Sequence, residues 1–429
     1  MSSRSDAGAA VTGIGVISSL GRDLADTFDA LCEGRSNLSR PAPDLSGASG
    51  IEVVSKSPDI DAESVLKPPI DSCVDRFVLL ALAAAEQALG DAGIRVGENV
   101  DPHRVAVVIS TAGGALQTYE DQAAARRKDG RTAVSPYLCP GMIPNMGAAR
   151  IAIKYGIRGY SLCISTACAG GGQAVAEALR LIRGNDADVV ICGGSDAPLH
   201  PTVATAFVNA HSLASGFDDP TEASRPFDKD RNGYVLGEGA AMLILERADH
   251  ASARGAAGYA DVIGWGATTD GYHVTTPRPD GVDAAECMRR ALANAELMPR
   301  DIAYVNAHAT STGIGDVAEA KAIRAVFGDD TPPVSSTKSV TGHLMGASGS
   351  FEAAATVLAV ACGQLPPTRN LEAVGRNCEL NHIRGKPLLG EVPAAISNSF
   401  GFGGHNICLV VGPPSTRPRH LPGEGSGDA

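Results

Sequence analysis

Tyr160-Ser161-Leu162-Cys163-Ile164-Ser165-Thr166-Ala167-Cys168-Ala169-Gly170-Gly171-Gly172 is the stretch on which the reading of this 429-residue chain turns. Tyr160 to Ile164 is short, apolar and β-prone. Beyond the glycines, Val175, Ala178, Leu179 and Ile182 recur at the i, i+3, i+4, i+7 spacing of one helix face. Cys168 therefore opens a helix directly after a strand, the connection on which α/β proteins hang their sites. The positive end of the helix dipole and the unpaired first-turn N–H groups lower the pKa of such a thiol from about 8.5, so the turn predicts a nucleophile near neutral pH. The glycines let a substrate or another segment approach the backbone closely.

Working outward, the other cysteines carry no such signal. Cys32, Cys163, Cys192, Cys287, Cys362 and Cys408 sit in apolar or helical runs without a glycine cradle and read as small buried hydrophobes. Cys73, Cys139 and Cys378 point neither way. No paired CxxC signature or small secreted framework is present, so the expectation is reduced thiols, no metal site and a cytoplasmic setting. Met1 to Gly8 lacks the apolar core of a signal peptide, and no uninterrupted apolar run reaches spanning length, which argues against a membrane. The net charge of −12 without a basic tract argues against nucleic acid. A hydrophobic fraction of 44% with 50 glycines and only 4% aromatics suits a large, tightly packed core more than an aromatic binding platform.

Short Val/Ile-rich strands alternate with Ala-rich helices along the chain, an α/β pattern. Strands are expected over 9–16, 104–109, 189–193, 240–245, 259–264, 304–306, 394–397 and 407–411, and helices over 76–92, 174–183, 284–295, 317–327 and 349–362. No Ser/Pro/Gly linker divides the chain, so its halves should pack as one body. The Pro- and Gly-rich end, 413–429, reads as a disordered tail.

Three polar clusters follow apolar strands downstream: Asn306-Ala307-His308-Ala309-Thr310-Ser311-Thr312-Gly313, Ser335-Ser336-Thr337-Lys338-Ser339-Val340-Thr341-Gly342-His343, and Asn398-Ser399-Phe400-Gly401-Phe402-Gly403-Gly404-His405. One such histidine alone is more often structural. Three clusters beside a glycine-cradled cysteine are hard to explain structurally.

With these motifs in this order, and with Arg225-Pro226-Phe227-Asp228 and Gly237-Glu238-Gly239-Ala240 between them, the chain closely resembles the β-ketoacyl-acyl carrier protein synthases, condensing enzymes of the thiolase superfamily, over roughly residues 8 to 412. The resemblance implies an α/β thiolase-like five-layer αβαβα fold of two similar halves: residues 8–255 with the nucleophile, and residues 256–412 with the catalytic His and Lys residues and a gating loop. It implies that Cys168 carries the acyl chain as a thioester and that the N–H groups of Cys168 and Phe402 form the oxyanion hole. His308 and His343 would bind the malonyl thioester carbonyl and promote decarboxylation, with Lys338 orienting the pair and Glu352 behind it, and Thr310 and Thr312 in support. Phe400, Gly401, Phe402, Gly403 and Gly404 would form a mobile gate. Ala112 would lie at the floor of the acyl pocket, and Tyr234 would shield the decarboxylation site where the family usually has Phe. No cofactor is implied beyond the phosphopantetheine that carries the substrates. The implied partners are an acyl carrier protein and a second subunit, in a homodimer or a heterodimer with a chain-length-factor-like protein.

Neighbouring readings fit less well. A thiolase needs a second catalytic cysteine in a glycine-rich C-terminal motif, which Cys408 in its apolar run does not supply. The initiating synthases use one histidine and an asparagine. A chain-length factor lacks the cysteine. A Cys-His hydrolase leaves Lys338 and the second histidine without purpose. Two departures bear on pathway: Ala112 replaces a usual aliphatic side chain, and the family's basic carrier-docking patch is thinned, with Ser72 and Cys73 before Arg76 and His211 at an expected arginine. Lys67, Arg76, Arg126, Arg127, Lys128 and Arg131 remain. These tilt the reading toward polyketide or polyene assembly, with housekeeping fatty-acid elongation as the alternative.

Overall fold

The computed structural model describes residues 8–66, 73–419 and 421. Its main sheet has ten strands: β1 (Ala9–Ile17), β2 (Val105–Ser110), β3 (Ser161–Ile164), β4 (Val189–Asp196), β5 (Gly239–Arg247), β6 (Asp261–Thr269), β7 (Tyr304–Asn306), β8 (Val334–Ser335), β9 (Ala395–Gly401) and β10 (His405–Gly412). Their order across the sheet is β8-β7-β9-β10-β6-β1-β5-β4-β2-β3. Read outward from the centre, each half runs first, fifth, fourth, second, third. Directions repeat too: β2 is parallel to β3 and β4, and β7 to β8 and β9, while β4–β5, β5–β1, β9–β10 and β10–β6 are antiparallel. The two half-sheets pair where β1 and β6 meet antiparallel, Ala9 opposite Val262 and Ala10 opposite Asp261.

Helices complete five layers. The helix α1 (Arg76–Ala92) covers β1, β4 and β5 from outside, and Leu116–Asp129 (α2) has no buried residue. Between the half-sheets lie α3 (Gly170–Arg183) and α6 (Ser348–Cys362), which pack on each other and on strands of both halves. On the far side α4 (Val282–Asn294) covers β6 and β10, with α5 (Gly315–Phe327) against it. This is the expected αβαβα arrangement.

The duplication has a sequence basis that periodicity alone does not reveal. Gly13 and Gly15 of β1 face Ala84, Ala88 and Ala92 of α1, and any Cβ on either glycine would overlap that helix backbone. Gly264 and Gly266 of β6 face Cys287 and Ala291 of α4 and Ala295 just after it in the same way. A Gly-x-Gly strand against an Ala-rich helix thus closes both outer layers at short range.

Three expectations change. Residues 345–362, mostly α6, are long and apolar enough to cross a membrane, but 83% of that window is buried inside the protein, so this is the central core helix. Cys163 and Cys362 are only partly buried. The tail expected to be disordered from Pro413 is anchored over its first residues. Arg417–Pro418 pairs in parallel with Ala257–Gly258, and the Arg419 guanidinium donates to the Asp91 carboxylate (2.5 Å) and to the carbonyls of Asp91 (2.6 Å) and Thr12 (3.1 Å) over the Tyr259 ring. A charged side chain with a half-buried carboxylate to reach overrides the low-complexity composition. Residues 420 and 422–429 of that tail lie outside the described residues.

Candidate active site

β3 runs into a single 3₁₀ turn, Ala167–Ala169, from which α3 continues, so Cys168 stands at the end of a strand and the head of a helix. Ala167 adopts φ 50°, a left-handed conformation unusual for alanine and a mark of local strain. The glycines admit the protein's own elements. A methyl on Gly170 would overlap Ser110 Oγ, one on Gly171 would lie 2.5 Å from Ser350 N on α6, and one on Gly172 2.9 Å from Ile407 Cγ2. From the opposite side Gly401 closes on the turn, its missing Cβ only 2.6 Å from the Thr166 carbonyl oxygen.

The thiol is buried, and this corrects the expectation of a lowered pKa. Burial pushes Cys168 up to about 12, outweighing the Lys338 charge and the N–H groups of Phe402 and of Cys168 itself, which pull it down; Asp196 adds a further upward push. Those two N–H groups are the ones the oxyanion-hole reading names. They converge on the sulfur.

Across the same cavity the loops after β7 and β8 bring in His308 and His343, whose rings lie 5.5 Å apart at 84°. Lys338 Nζ approaches His308 Nδ1 at 3.3 Å and pairs with the Glu352 carboxylate, with all three side chains buried. Ser348 Oγ lies 2.8 Å from His343 Nδ1 and accepts the Leu344 N–H at 2.8 Å, so its own proton is free to be donated to the imidazole. In each ring the Nδ1 is thus occupied as an acceptor, which leaves Nε2–H as the donor. Burial lowers both histidines well below 6.5, and the Lys338 charge adds to this, so both rings are neutral at neutral pH. Burial raises Glu352 above the usual carboxylate range against the pull of Lys338.

Sequence reading missed the groups that hold these elements in place. Glu319 on α5 accepts the backbone N–H groups of His308 (2.9 Å) and Ala309 (2.7 Å), fixing the histidine loop, and receives Asn398 Nδ2 at 3.2 Å. Asp196, fully buried at the end of β4, accepts from Thr111 Oγ1 (2.6 Å), Ala112 N (2.9 Å), Gly113 N (3.2 Å) and Gly346 N (2.6 Å). Asp196 at the end of an apolar strand carries a weak sequence signal, whereas Glu319 shares its helix with Asp316, Lys321 and Arg324 and carries none. For Ser348 the sequence carries none.

Cys168, His308, His343, Tyr234, Phe400 and Phe402 line one cavity of ≈ 550 Å³, with Thr310 and Thr312 (hydroxyls 3.1 Å apart) also on its wall. Phe400 stands against His308 at 5.7 Å between ring centres. Gly403 and Gly404 take left-handed φ of 83° and 78°; Gly403 N donates to the Val274 carbonyl (2.8 Å), and the Gly404 carbonyl accepts Asp270 N (2.9 Å). Ala112 is not among the lining residues; it packs on the apolar cluster that contains Cys168, Tyr234 and Met345. Of the cations counted for docking, Arg76 is committed elsewhere, donating to Glu238 (2.6 Å) and to Ser57 and Pro58, while Arg126, Arg127, Lys128 and Arg131 are exposed at and just after the end of α2. Lys67 lies outside the described residues. Among the described residues no group of three His, Cys, Asp or Glu side chains is arranged to hold a metal ion.

Family models match on both sides of the duplication: "Beta-ketoacyl synthase, N-terminal domain" over residues 8–251 and "Beta-ketoacyl synthase, C-terminal domain" over 259–372. The chain is 41% identical over 406 residues to a 3-oxoacyl-[acyl-carrier-protein] synthase 2 of Synechocystis, covering 93% of this chain and 96% of the relative. It is 38% identical over 404 residues to the protein of the same name from Coxiella burnetii, covering 94% and 97%. Among solved structures, the ishigamide ketosynthase/chain length factor superposes with a TM-score of 0.88 at 31% identity, over 95% of this chain and 99% of that one. A type II PKS acyl-carrier protein in complex with its ketosynthase bound to the hexaketide matches with a TM-score of 0.87 at 29% identity, over 95% and 99%.

Proposed function

The chain belongs to the β-ketoacyl synthase family, condensing enzymes that act as acyltransferases, and on that premise we propose how its residues divide the decarboxylative condensation of an acyl thioester with malonyl-acyl carrier protein. Cys168 sulfur attacks the acyl thioester, forming a new C–S bond, and the carrier's thiol departs with the cysteine proton. The malonyl thioester then enters, and its carbonyl oxygen accepts Nε2–H bonds from His308 and His343. As the carbon–carboxylate bond breaks, CO2 leaves and the electron pair passes into an enolate that these two donors stabilise. The enolate carbon attacks the acyl carbon on Cys168. The N–H groups of Cys168 and Phe402 hold the resulting oxyanion, a contribution of about 3 kcal/mol for one such donor. Collapse expels the Cys168 sulfur and leaves a chain two carbons longer on the carrier.

The observation that carries this reading is the pair of neutral imidazoles. Both have Nδ1 occupied by a donor, Lys338 or Ser348, so each presents Nε2–H, and a neutral N–H donor stabilises the enolate oxygen without transferring its proton. Lys338 and Glu352 act through His308 as a buried positioning pair. Phe400 to Gly404 serves as the gate: Phe400 stands beside His308, and the glycine φ values allow a swing of the backbone. Thr310 and Thr312 present hydroxyls to the incoming phosphopantetheine. No cofactor is required beyond that carrier arm.

The acyl carrier protein docks at the exposed Arg126, Arg127, Lys128 and Arg131, with Arg76 removed from the docking set by its ion pair with Glu238. The ten-stranded sheet ends on β3, beside exposed Tyr160 and Ile153. This edge supports a second subunit, either a copy of the chain or a chain-length-factor-like protein. The thinned docking patch favours a polyketide-type chain; the identity to 3-oxoacyl-[acyl-carrier-protein] synthase 2 proteins supports fatty-acid elongation as the second reading.

The test is Cys168→Ala, followed by intact-mass spectrometry and CO2 release. The variant is expected to take up no acyl group and make no elongated product while still decarboxylating malonyl-acyl carrier protein. Normal elongation by Cys168→Ala would reject the assignment.

A further inference from the structure

Asp196 ends β4 as a buried carboxylate, and the condensation chemistry does not use it. Its oxygens are filled: Oδ1 accepts from the Thr111 hydroxyl (2.6 Å) and Gly113 N (3.2 Å), Oδ2 from Ala112 N (2.9 Å) and Gly346 N (2.6 Å). Two donors on each oxygen leave no lone pair for a proton of its own, so the group is an anion. A buried charge is costly, and one devoted to three backbone N–H groups marks backbone geometry that matters.

The two turns it joins come from opposite halves. Thr111 to Gly113 follows β2, the neighbour of β4 in the sheet, whereas Gly346 sits in the turn 345–347 that opens α6. Their approach is as close as backbone allows: a Cβ on Gly346 would lie 2.6 Å from the carboxylate and 2.7 Å from Ala112 N, and one on Gly194 2.3 Å from the Gly346 carbonyl oxygen. Met345, just before Gly346, takes φ 53°, a left-handed conformation that such a side chain keeps only where its surroundings impose it. The bond from Gly346 N to Asp196 imposes it. Burial raises the Cys168 thiol and the Asp196 charge adds to this, so the carboxylate stands close to the nucleophile. Met345 and Phe207 line the cavity with Cys168, and Ala112 packs in the same apolar cluster. An acyl chain on the Cys168 sulfur therefore has this cluster as its apolar wall.

We propose that Asp196 is a positioning residue for acyl loading: by clamping the turn of one half to the turn of the other, it fixes Met345 and Ala112 as the wall along which the acyl chain lies. This rests on the condensing reading above. The clamp acts on the acyl side, because the histidines are held separately by Glu319, Ser348 and Lys338. Its influence grows with chain length, since an acetyl group ends near the sulfur and a longer chain must follow the wall.

In the full-length chain, Asp196→Ala removes all four acceptor sites, Asp196→Asn keeps one oxygen for Ala112 N and Gly346 N, and Gly346→Ala drives a methyl between the two turns while leaving the carboxylate in place. Acyl loading on Cys168 is followed by intact mass with acetyl-acyl carrier protein and with the longest acyl-acyl carrier protein the parent accepts, each rate normalised to CO2 release from malonyl-acyl carrier protein by the same preparation. Asp196→Ala and Gly346→Ala should slow long-chain loading about a hundredfold, the scale of an ångström-sized displacement, and acetyl loading less than about fivefold. Asp196→Asn should recover most of the long-chain rate. A loss equal for both chain lengths, or an unchanged long-chain rate, overturns the proposal. So does an asparagine variant as slow as the alanine one, which would assign the effect to the charge. If Asp196→Ala does not fold, Gly346→Ala carries the same test. Failure of the condensing reading looks different: the parent would then take up no acyl group on Cys168.

Discussion

The two halves of the molecule match strand for strand yet put different chemistry at matching places. β2 leads into Thr111-Ala112 and β7 into Ala307-His308. β3 leads into the turn 167–169 and the second half into the turn 345–347, each turn opening a central helix and each starting with a left-handed residue, Ala167 at 50° and Met345 at 53°. In the first turn the middle residue is Cys168. In the second it is Gly346, whose N–H is bound to Asp196 and whose missing Cβ would lie 2.6 Å from that carboxylate. One turn presents a thiol to the cavity and its counterpart is structural wall. The two sides also differ in how they are held: backbone contacts through Gly170, Gly171, Gly172 and Gly401 fix the cysteine, whereas side-chain bonds from Lys338, Glu352, Ser348 and Glu319 fix the histidines.

That contrast breaks most visibly at Lys338. Lys338→Met leaves Glu352 buried without its partner, a change expected to cost about 3–5 kcal/mol in urea unfolding. It also takes the donor from His308, so decarboxylation should fall while acyl loading on the folded fraction persists. Adding Glu352→Leu should restore most of the stability but none of the decarboxylation. Recovery of both would mean that the pair only holds the fold. On the nucleophile side the effect is smaller. Gly170→Ala forces a methyl into Ser110, an overpacking of about 1–3 kcal/mol, and should slow acyl loading more than decarboxylation. If decarboxylation suffers more, the two sides are not held separately.

What could be read from the sequence follows the same division. The four motifs that meet in the cavity are contiguous runs with reactive side chains, and α1, α3, α4 and α6 carry small-residue or apolar faces, so both were legible. The repeat was not, because its evidence is two Gly-x-Gly pairs, Gly13/Gly15 and Gly264/Gly266, about 250 residues apart, whose meaning lies in contact with α1 and α4. α2 has no apolar period to read, because none of its side chains is buried. Glu319, Ser348 and Asp196 act on backbone groups or on a histidine from a distance in sequence, and no local pattern announces that. Arg76 reads as a docking cation in the sequence, but in the fold Glu238, 162 residues away, holds it.

The thiol itself provides the smallest and sharpest discrimination. Local sequence context argues for a lowered pKa; burial in the folded site argues for a raised one, and the latter wins at Cys168. A raised acid stays protonated over the neutral range, so alkylation of Cys168 by iodoacetamide, read by peptide mass, should climb about tenfold per pH unit from 7 to 9.5 without a plateau. The same sign makes Cys168 a source of stability present below the unfolded thiol's pKa and lost as pH rises toward the folded value, since the unfolded chain ionises first. The histidines respond the other way. Their pKa values lie well below 6.5, so decarboxylation by Cys168→Ala should stay flat from pH 6.5 to 8. An alkylation profile that levels off below pH 8 would mean that the thiolate exists before substrate arrives, and that the turn at Ala167–Ala169 activates the cysteine without help from the bound thioester.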